Sequence, residues 1–225
     1  MPSTTGPTRQ RRKETRPQEL LDAALALFVE KGFAATRAEE VAQRAGVSKG
    51  TLYLYYPSKE ELFKAVIRQN LSNTIAQGLD RVSAFEGSTS ELLVQLAQVW
   101  WDRLCNTPAG GIVKIILAEV RNFPDLAQFY VDEVIVPARQ LLGMAVQRGV
   151  TSGEFRALPP QAVAHVLMAP IIFMALHRHS FGACPVQGEL LDPDTILKTH
   201  LDLALHGLCL PGKAPIALKK KASRK

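Results

Sequence analysis

Apolar residues recur every three or four positions along almost the whole chain, and the period-two alternation of a half-buried strand is missing. The pattern predicts an all-α protein. Leu21, Ala24, Leu25 and Phe28 form the first apolar stripe, with Thr15-x-x-Gln18 as a capping box before it and Gly32 placed as a C-terminal cap. Thr36-x-x-Glu39 reads as a second box, opening a short helix that turns Val41, Ala42 and Ala45 inward before Gly46 ends it. Ser48 is placed to cap a third helix, which Pro57 stops. Ser58-x-x-Glu61 opens a long helix over 58–83, with Leu62, Phe63, Val66, Ile67, Leu71, Ile75 and Leu79 along one side.

Residues 85–89 form a joint, and the periodicity beyond it predicts helices near 89–106, 109–122, 124–150, 160–181 and 192–208. Pro137 and Pro170 fall inside two of these. Each is expected to kink or break its helix, because proline lacks the N–H and crowds the preceding turn. The chain therefore divides into a basic arm (1–14), a helix-turn-helix head (15–64), a helical effector and dimerisation region (65–210) and a basic tail (211–225).

The third helix brings chemistry into this frame. In a helix-turn-helix the second helix of the pair enters the major groove and its N-terminal residues meet base edges and phosphates. Leu52 and Tyr56, four residues apart, share the inward face and leave Lys49, Gly50, Thr51, Tyr53 and Tyr55 for the outside. Lys49 can donate to guanine or phosphate. Thr51 and the tyrosine hydroxyls can donate to phosphate, and Gly50 lets backbone come close. Lys59 adds a cation in the first turn of the fourth helix.

Composition agrees with an anionic partner. The net charge is +6 with a pI near 9.3, and the cations gather before the first helix (Arg9, Arg11, Arg12, Lys13, Arg16) and at the end (Lys219, Lys220, Lys221, Arg224, Lys225). Hydrophobic residues make up 47% of the chain, which excludes wholesale disorder. Cys105, Cys184 and Cys209 lack metal-ligand spacing and read as buried hydrophobes in a reducing compartment. No secretory signal is seen, and the longest apolar run, 162–176, is read as too short to span a bilayer, so a cytoplasmic protein is expected.

Residues 17–64 resemble the DNA-binding domain of the TetR/AcrR family of transcriptional regulators. The likeness is carried by "DAALALFVEKGFAAT", "VAQRAGVSKGTLY" and "YYPSKEELF". It implies that Thr36 and Arg37 begin helix two at the DNA backbone, that Ser48 to Tyr55 form the recognition helix, and that Lys59 meets phosphate. Ala38 departs from the larger apolar residue common there, which implies looser packing of helix two. The block "LAEVRNFPDLAQFYVDEVIVPARQLLGMAVQRGVTSGEFR" is similar to the family's effector domains, implying a small-molecule pocket and dimerisation through the last two long helices.

Candidate pocket residues are Trp100, Trp101, Leu104, Phe123, Phe129, Tyr130, Phe173, Met174 and His177. Adjacent Trp100 and Trp101 point about 100° apart, so only one of them lines a cavity. The apolar bias suggests a hydrophobic or aromatic effector. Dimer contacts are expected from Val163, Leu167, Ile171 and Met174 on the 160–181 helix and from Ile196, Leu201, Leu205 and Leu208 on the 192–208 helix. The five histidines show no metal spacing, and no cofactor or catalytic motif is present, so an enzyme is not expected. The expected function is a homodimeric repressor that leaves a palindromic duplex operator when a small effector binds. The alternatives are a ligand acting as corepressor and a basic helical membrane-surface protein.

Overall fold

The computed structural model describes residues 7–183 and 192–211, with only the backbone over 7–15. The described residues are helical between short loops, apart from an isolated antiparallel bridge between Phe155 and Cys209. The head consists of α1 (Pro7–Lys31), α2 (Ala38–Arg44), α3 (Lys49–Tyr55) and α4 (Lys59–Ile67). Leu20, Ala24, Phe28, Val41, Leu52, Leu62 and Phe63 are all but completely buried among them. The Phe28 and Phe63 rings meet edge to face, with centroids 4.9 Å apart. Each of the larger side chains stabilises the fold by about 1.5–3 kcal/mol through burial.

Two expected helix starts need correction. α1 begins at Pro7, so Thr15 lies within it and not at its start. Residues 10–14, Gln-Arg-Arg-Lys-Glu, are good helix formers and carry the helix back beyond Pro17. The expected arm is therefore helical from residue 7, and its first six residues and its side chains lie outside the described residues. At the second start, Arg37 and not Thr36 occupies the cap position of α2, and the Glu40 carboxylate accepts from the Arg37 N–H at 3.2 Å. Thr36 is buried, and its hydroxyl lies 2.7 Å from the Gly32 carbonyl and 3.2 Å from that of Leu27.

The other starts and stops follow the sequence. Gly32 and Gly46 take positive φ angles of 84° and 67°. At Gly46 the Val47 N–H reaches back to the Ala42 carbonyl and the Gly46 N–H to that of Gln43, a Schellman closure that sets α3 off at an angle. Ser48 and Ser58 accept from the N–H groups of Thr51 and Glu61, each at 3.1 Å.

α4 passes through a wide π-helical turn, Arg68–Ser72, into α5 (Asn73–Ala84). After the joint come α6 (Thr89–Cys105), α7 (Gly110–Glu119) and α8 (Pro124–Tyr130). A second π-turn, Val131–Ile135, leads into α9 (Val136–Thr151), and α10 (Pro160–Ser180) and α11 (Pro193–Leu208) complete the bundle. Pro137 therefore does not break its helix. The wide turn before it, closed by Val136 N–H on the Val131 carbonyl, makes room for a residue with no N–H to give. α10 likewise stays helical through Pro170.

The joint is stapled from the far side of the bundle. Arg148 donates to the carbonyls of Phe85 and Gly87 at 3.0 and 2.8 Å. The Glu154 carboxylate accepts from the Thr89 and Ser90 N–H groups at 2.6 and 2.8 Å and from the Ser90 hydroxyl at 2.5 Å. It thus covers orphan donors at the start of α6. Cys105 and Cys209 are buried free thiols, and burial pushes that of Cys105 up to about 11. Cys184 lies outside the described residues.

α10 packs on α9, α7 and α6, and α11 packs on α10 and α6. Leu167, Ile171, Met174, Leu201, Leu205 and Leu208 are consumed in those contacts, so the faces expected to pair two subunits are internal. The exposed apolar residues are on the other side: Val166, Phe173, Phe181 and Leu203, all more than 60% exposed. α10 is also long and apolar enough to cross a membrane by length and composition, unlike the shorter run read from sequence. Only 28% of its most apolar window is buried within the chain, which leaves much apolar surface for another partner.

Candidate nucleic-acid interface and effector cavity

On the seven-residue α3, side chains follow one another at about 100°. Leu52 is fully buried, and Tyr56, just past the helix end, packs on the core. Opposite them stand Gly50 and Leu54, flanked by Thr51 and Tyr53. Leu54 is 82% exposed, the most exposed large apolar residue described, and the sequence reading passed over it. Its position four residues after Gly50 was the available signal. A Cβ on Gly50 would meet only the Ser48 Oγ, at 3.9 Å, so nothing among the described residues requires glycine there.

The polar groups on α3 are partly engaged. The Ser48 Oγ serves as helix cap and sits 2.9 Å from the Thr51 Oγ1. Lys49 pairs with Glu39 of α2 and lies 5.7 Å from the centre of the Tyr53 ring. A hydrogen bond from Lys49, more than any other contact, holds the Glu39 carboxyl below its usual range. Tyr53 and Arg37 are exposed, while Tyr55 packs partly against the core.

Two candidates are engaged within the head. The Thr36 hydroxyl ties the end of α1 to the following turn, as described above. Lys59 donates to the carbonyls of Phe33 and Ala34 at 2.9 and 3.1 Å and lies 4.6 Å from the centre of the Phe33 ring. It closes the α1–α2 turn instead of standing free.

In the other half, a cavity of about 140 Å³ is bounded by Leu71, Trp100, Leu104, Val113, Tyr130, Val134, Ile135, Ala138, Arg139, Ala164, His165, Met168 and Ile172. Of the adjacent tryptophans, Trp100 forms wall. Trp101 is buried elsewhere, with its indole N–H unpartnered among the described residues. Leu104 and Tyr130 are on the wall as expected. Burial pushes the Tyr130 phenol well above its usual range, so it stays neutral.

Phe123, Phe173 and His177 are not on the cavity wall. Phe123 packs edge to face on Phe33, at 4.9 Å, between the head and the effector half. Phe173 and His177 lie on the outer side of α10, where His177 stacks toward Phe173 and Phe181 at 6.4 and 5.6 Å. Helical spacing alone cannot say which side of an all-round apolar helix faces inward. Arg139 and His165, missed from sequence because they are polar, border the opening.

The cavity wall is continuous with the helix that carries the head. Leu71 belongs to the π-turn after α4, and this turn packs on the π-turn that contributes Val134 and Ile135. Just ahead of the wall residues, Phe129 lies 4.7 Å from the Arg68 guanidinium, and Glu133 pairs with Arg68 at 3.6 Å.

Residues 20–66 match the sequence profile "Bacterial regulatory proteins, tetR family", and residues 86–192 match "Tetracyclin repressor-like, C-terminal domain". The chain belongs to the TetR family. It is 28% identical over 207 residues to the transcriptional repressor KstR2 of Rhodococcus jostii, spanning 88% of this chain and 94% of that protein. SmeT, the repressor of a Stenotrophomonas maltophilia multidrug efflux pump, superposes with a TM-score of 0.69 at 23% identity, over 92% of this chain and 97% of SmeT. Bacillus subtilis FadR in complex with stearoyl-CoA gives 0.66 at 19% identity, over 84% of this chain and 98% of FadR. Identities that low establish shared fold. As a TetR-family member the chain is a DNA-binding regulator with a helix-turn-helix head and a ligand-sensing helical body. Ala38 is buried, and α2 is held to α1 by the Arg44–Glu30 and Lys31–Glu40 pairs, both at 2.7 Å.

Proposed function

We propose that this protein is a cytoplasmic, homodimeric repressor whose two α3 helices read successive major grooves of a palindromic operator and which a small apolar effector releases. Gly50, Leu54, Thr51, Lys49 and Tyr53 form the docking face, with Arg37 and the α2 start near the phosphates. The grooves lie about 34–36 Å apart on one face of the duplex, a spacing that two heads held by a dimer can match. The dimer forms through the outer faces of α10 and α11, where Val166, Phe173, Phe181 and Leu203 are uncovered.

The observation that carries the switch is that Leu71, on the helix running from Lys59, is also cavity wall. A ligand pressing on Leu71 acts on the element that sets the angle of the head. It shifts the population of head spacings only as far as it prefers one of them.

The test starts with duplexes selected from a random pool by the purified protein. Lys49→Ala and Tyr53→Phe should each weaken binding to the selected duplex, Lys49→Ala by about tenfold or more with relaxed preference at one base of each half-site. Thermal stability should not change. Unaltered affinity in both variants would remove α3 as the reading helix. An effector found by thermal shift should lower operator affinity; one that raises it reverses the sign of regulation.

A further inference from the structure

The cavity has an electrostatic asymmetry that its apolar character conceals. Among the described residues its lining contains no aspartate or glutamate, and the charged group there is Arg139. Arg139 is exposed yet borders the cavity, as do Ile135 and His165, so these three mark the mouth. Among the described residues Arg139 makes no ion pair or hydrogen bond, in contrast to Arg68 and Arg148, which are both engaged. The acids on the preceding turn are taken: Glu133 pairs with Arg68, and the Gln128 amide donates to Asp132 at 2.9 Å. His165 turns its Nδ1 to the Gln161 carbonyl of its own helix, 2.8 Å away.

We infer that the effector is a small organic acid, with its carboxylate held at the mouth by Arg139 and a compact apolar body against Trp100, Leu104 and Ile172. This rests on the reading of the cavity as the effector site. The volume of about 140 Å³ limits the body. An engineered apolar cavity of about 150 Å³ takes one benzene ring. A guanidinium fits a carboxylate through two parallel N–H donors, whereas it offers an alcohol one ordinary hydrogen bond and repels an ammonium group. The neutral Tyr130 phenol on the wall does not alter that balance.

Calorimetric titration of the whole protein with 3-phenylpropionate, 3-phenylpropan-1-ol and 3-phenylpropylamine tests the inference, since the three share a body and differ in charge. The acid should bind at least tenfold more tightly than the alcohol, and the amine most weakly. Arg139→Gln, at an exposed residue without partners, should abolish the acid's advantage and leave the alcohol's affinity unchanged. An alcohol or amine that binds as tightly as the acid overturns the inference. So does an acid preference that survives Arg139→Gln, or failure of all three probes to bind. Operator affinity, measured separately with saturating acid, examines the other reading. An acid that binds through Arg139 but leaves operator affinity unmoved upholds the ligand class and removes the effector role.

Discussion

Gly50 offers a test in which stability and function should move in opposite directions. It occupies the second position of α3, where its backbone is helical and a Cβ would meet nothing nearer than the Ser48 Oγ at 3.9 Å. Alanine therefore fits without strain. In a helix interior, glycine to alanine is favourable by about 0.5–1 kcal/mol. In the first turn of so short a helix the lower end applies, which for a chain of this size raises the melting temperature by about 1–2 °C. If the outer face of α3 lies against a duplex, the same methyl group stands where backbone and bases approach most closely. Loss of one well-fitted contact there costs about 1.4 kcal/mol or more, a tenfold fall in affinity. Chemical denaturation should show a slightly higher midpoint with an unchanged slope. Fluorescence anisotropy should show the selected duplex bound at least tenfold more weakly, with binding to a scrambled duplex less affected. A Gly50→Ala protein that is stabilised and binds its selected duplex as tightly as before would refute the placement of this face. A destabilised one would refute the claim that the space is open.

Two further outcomes follow from the packing. Glu154→Ala should lower stability by about 2–4 kcal/mol, because it orphans three donors around buried Thr89 and Ser90, each worth about 1–3 kcal/mol less what water recovers at a partly open site; a loss below about 0.5 kcal/mol in urea unfolding would show that the staple contributes nothing. Burial works to raise the Glu154 pKa, but the combined hydrogen bonds from Ser90 and Thr89 outweigh it and hold the carboxyl below the ordinary 4.5. The advantage of wild type over Glu154→Gln should thus be full above pH 4.5 and shrink as pH falls through the lower folded value. At the proposed dimer face, Val166→Glu and Phe173→Glu should give folded monomers in sedimentation, whereas Leu201→Glu should unfold the chain by circular dichroism; a Phe173→Glu protein that stays dimeric would move the interface elsewhere.

The helices and their caps were legible because each rests on neighbours in sequence. Ser48, Ser58, Gly32 and Gly46 act within one turn of where they stand, so local chemistry settles them. Thr36 failed for the opposite reason: as a box residue it looks like a cap, but the turn after Gly32 folds its hydroxyl back onto α1. The cavity was half legible. Trp100, Leu104 and Tyr130 were found as large residues in an apolar half, yet Phe173 has the same helical spacing and lies outside. Arg139 and His165 were invisible because sequence reading looks for apolar walls, while a mouth is recognised only once the helices are assembled. The faces expected to pair two subunits proved largely internal for a similar reason. α10 is apolar nearly all round, and only packing on α6, α7 and α9 reveals which side remains.

Phe33 shows how one such assembly can reassign a residue with consequences for the whole molecule. It follows Gly32 in a turn and would pass as a hydrophobic plug for the head. In the structure it is fully buried against Phe28 and Phe63 on one side and Phe123 on the other, while Lys59 seals it from above. The next residue, Ala34, gives its N–H to Glu119 at the end of α7, at 3.3 Å. Besides that bond, the head meets the effector half at the Phe33–Phe123 contact and at the Arg68 cluster with Phe129 and Glu133. Both lie on α8 or at its ends, and α8 also supplies Tyr130 to the cavity. α8 and its ends therefore touch the head and the cavity at once. Lys59 holds the turn that carries Phe33 closed. Its ammonium is shared between two carbonyls and a ring, and the turn it closes is the one that precedes α2.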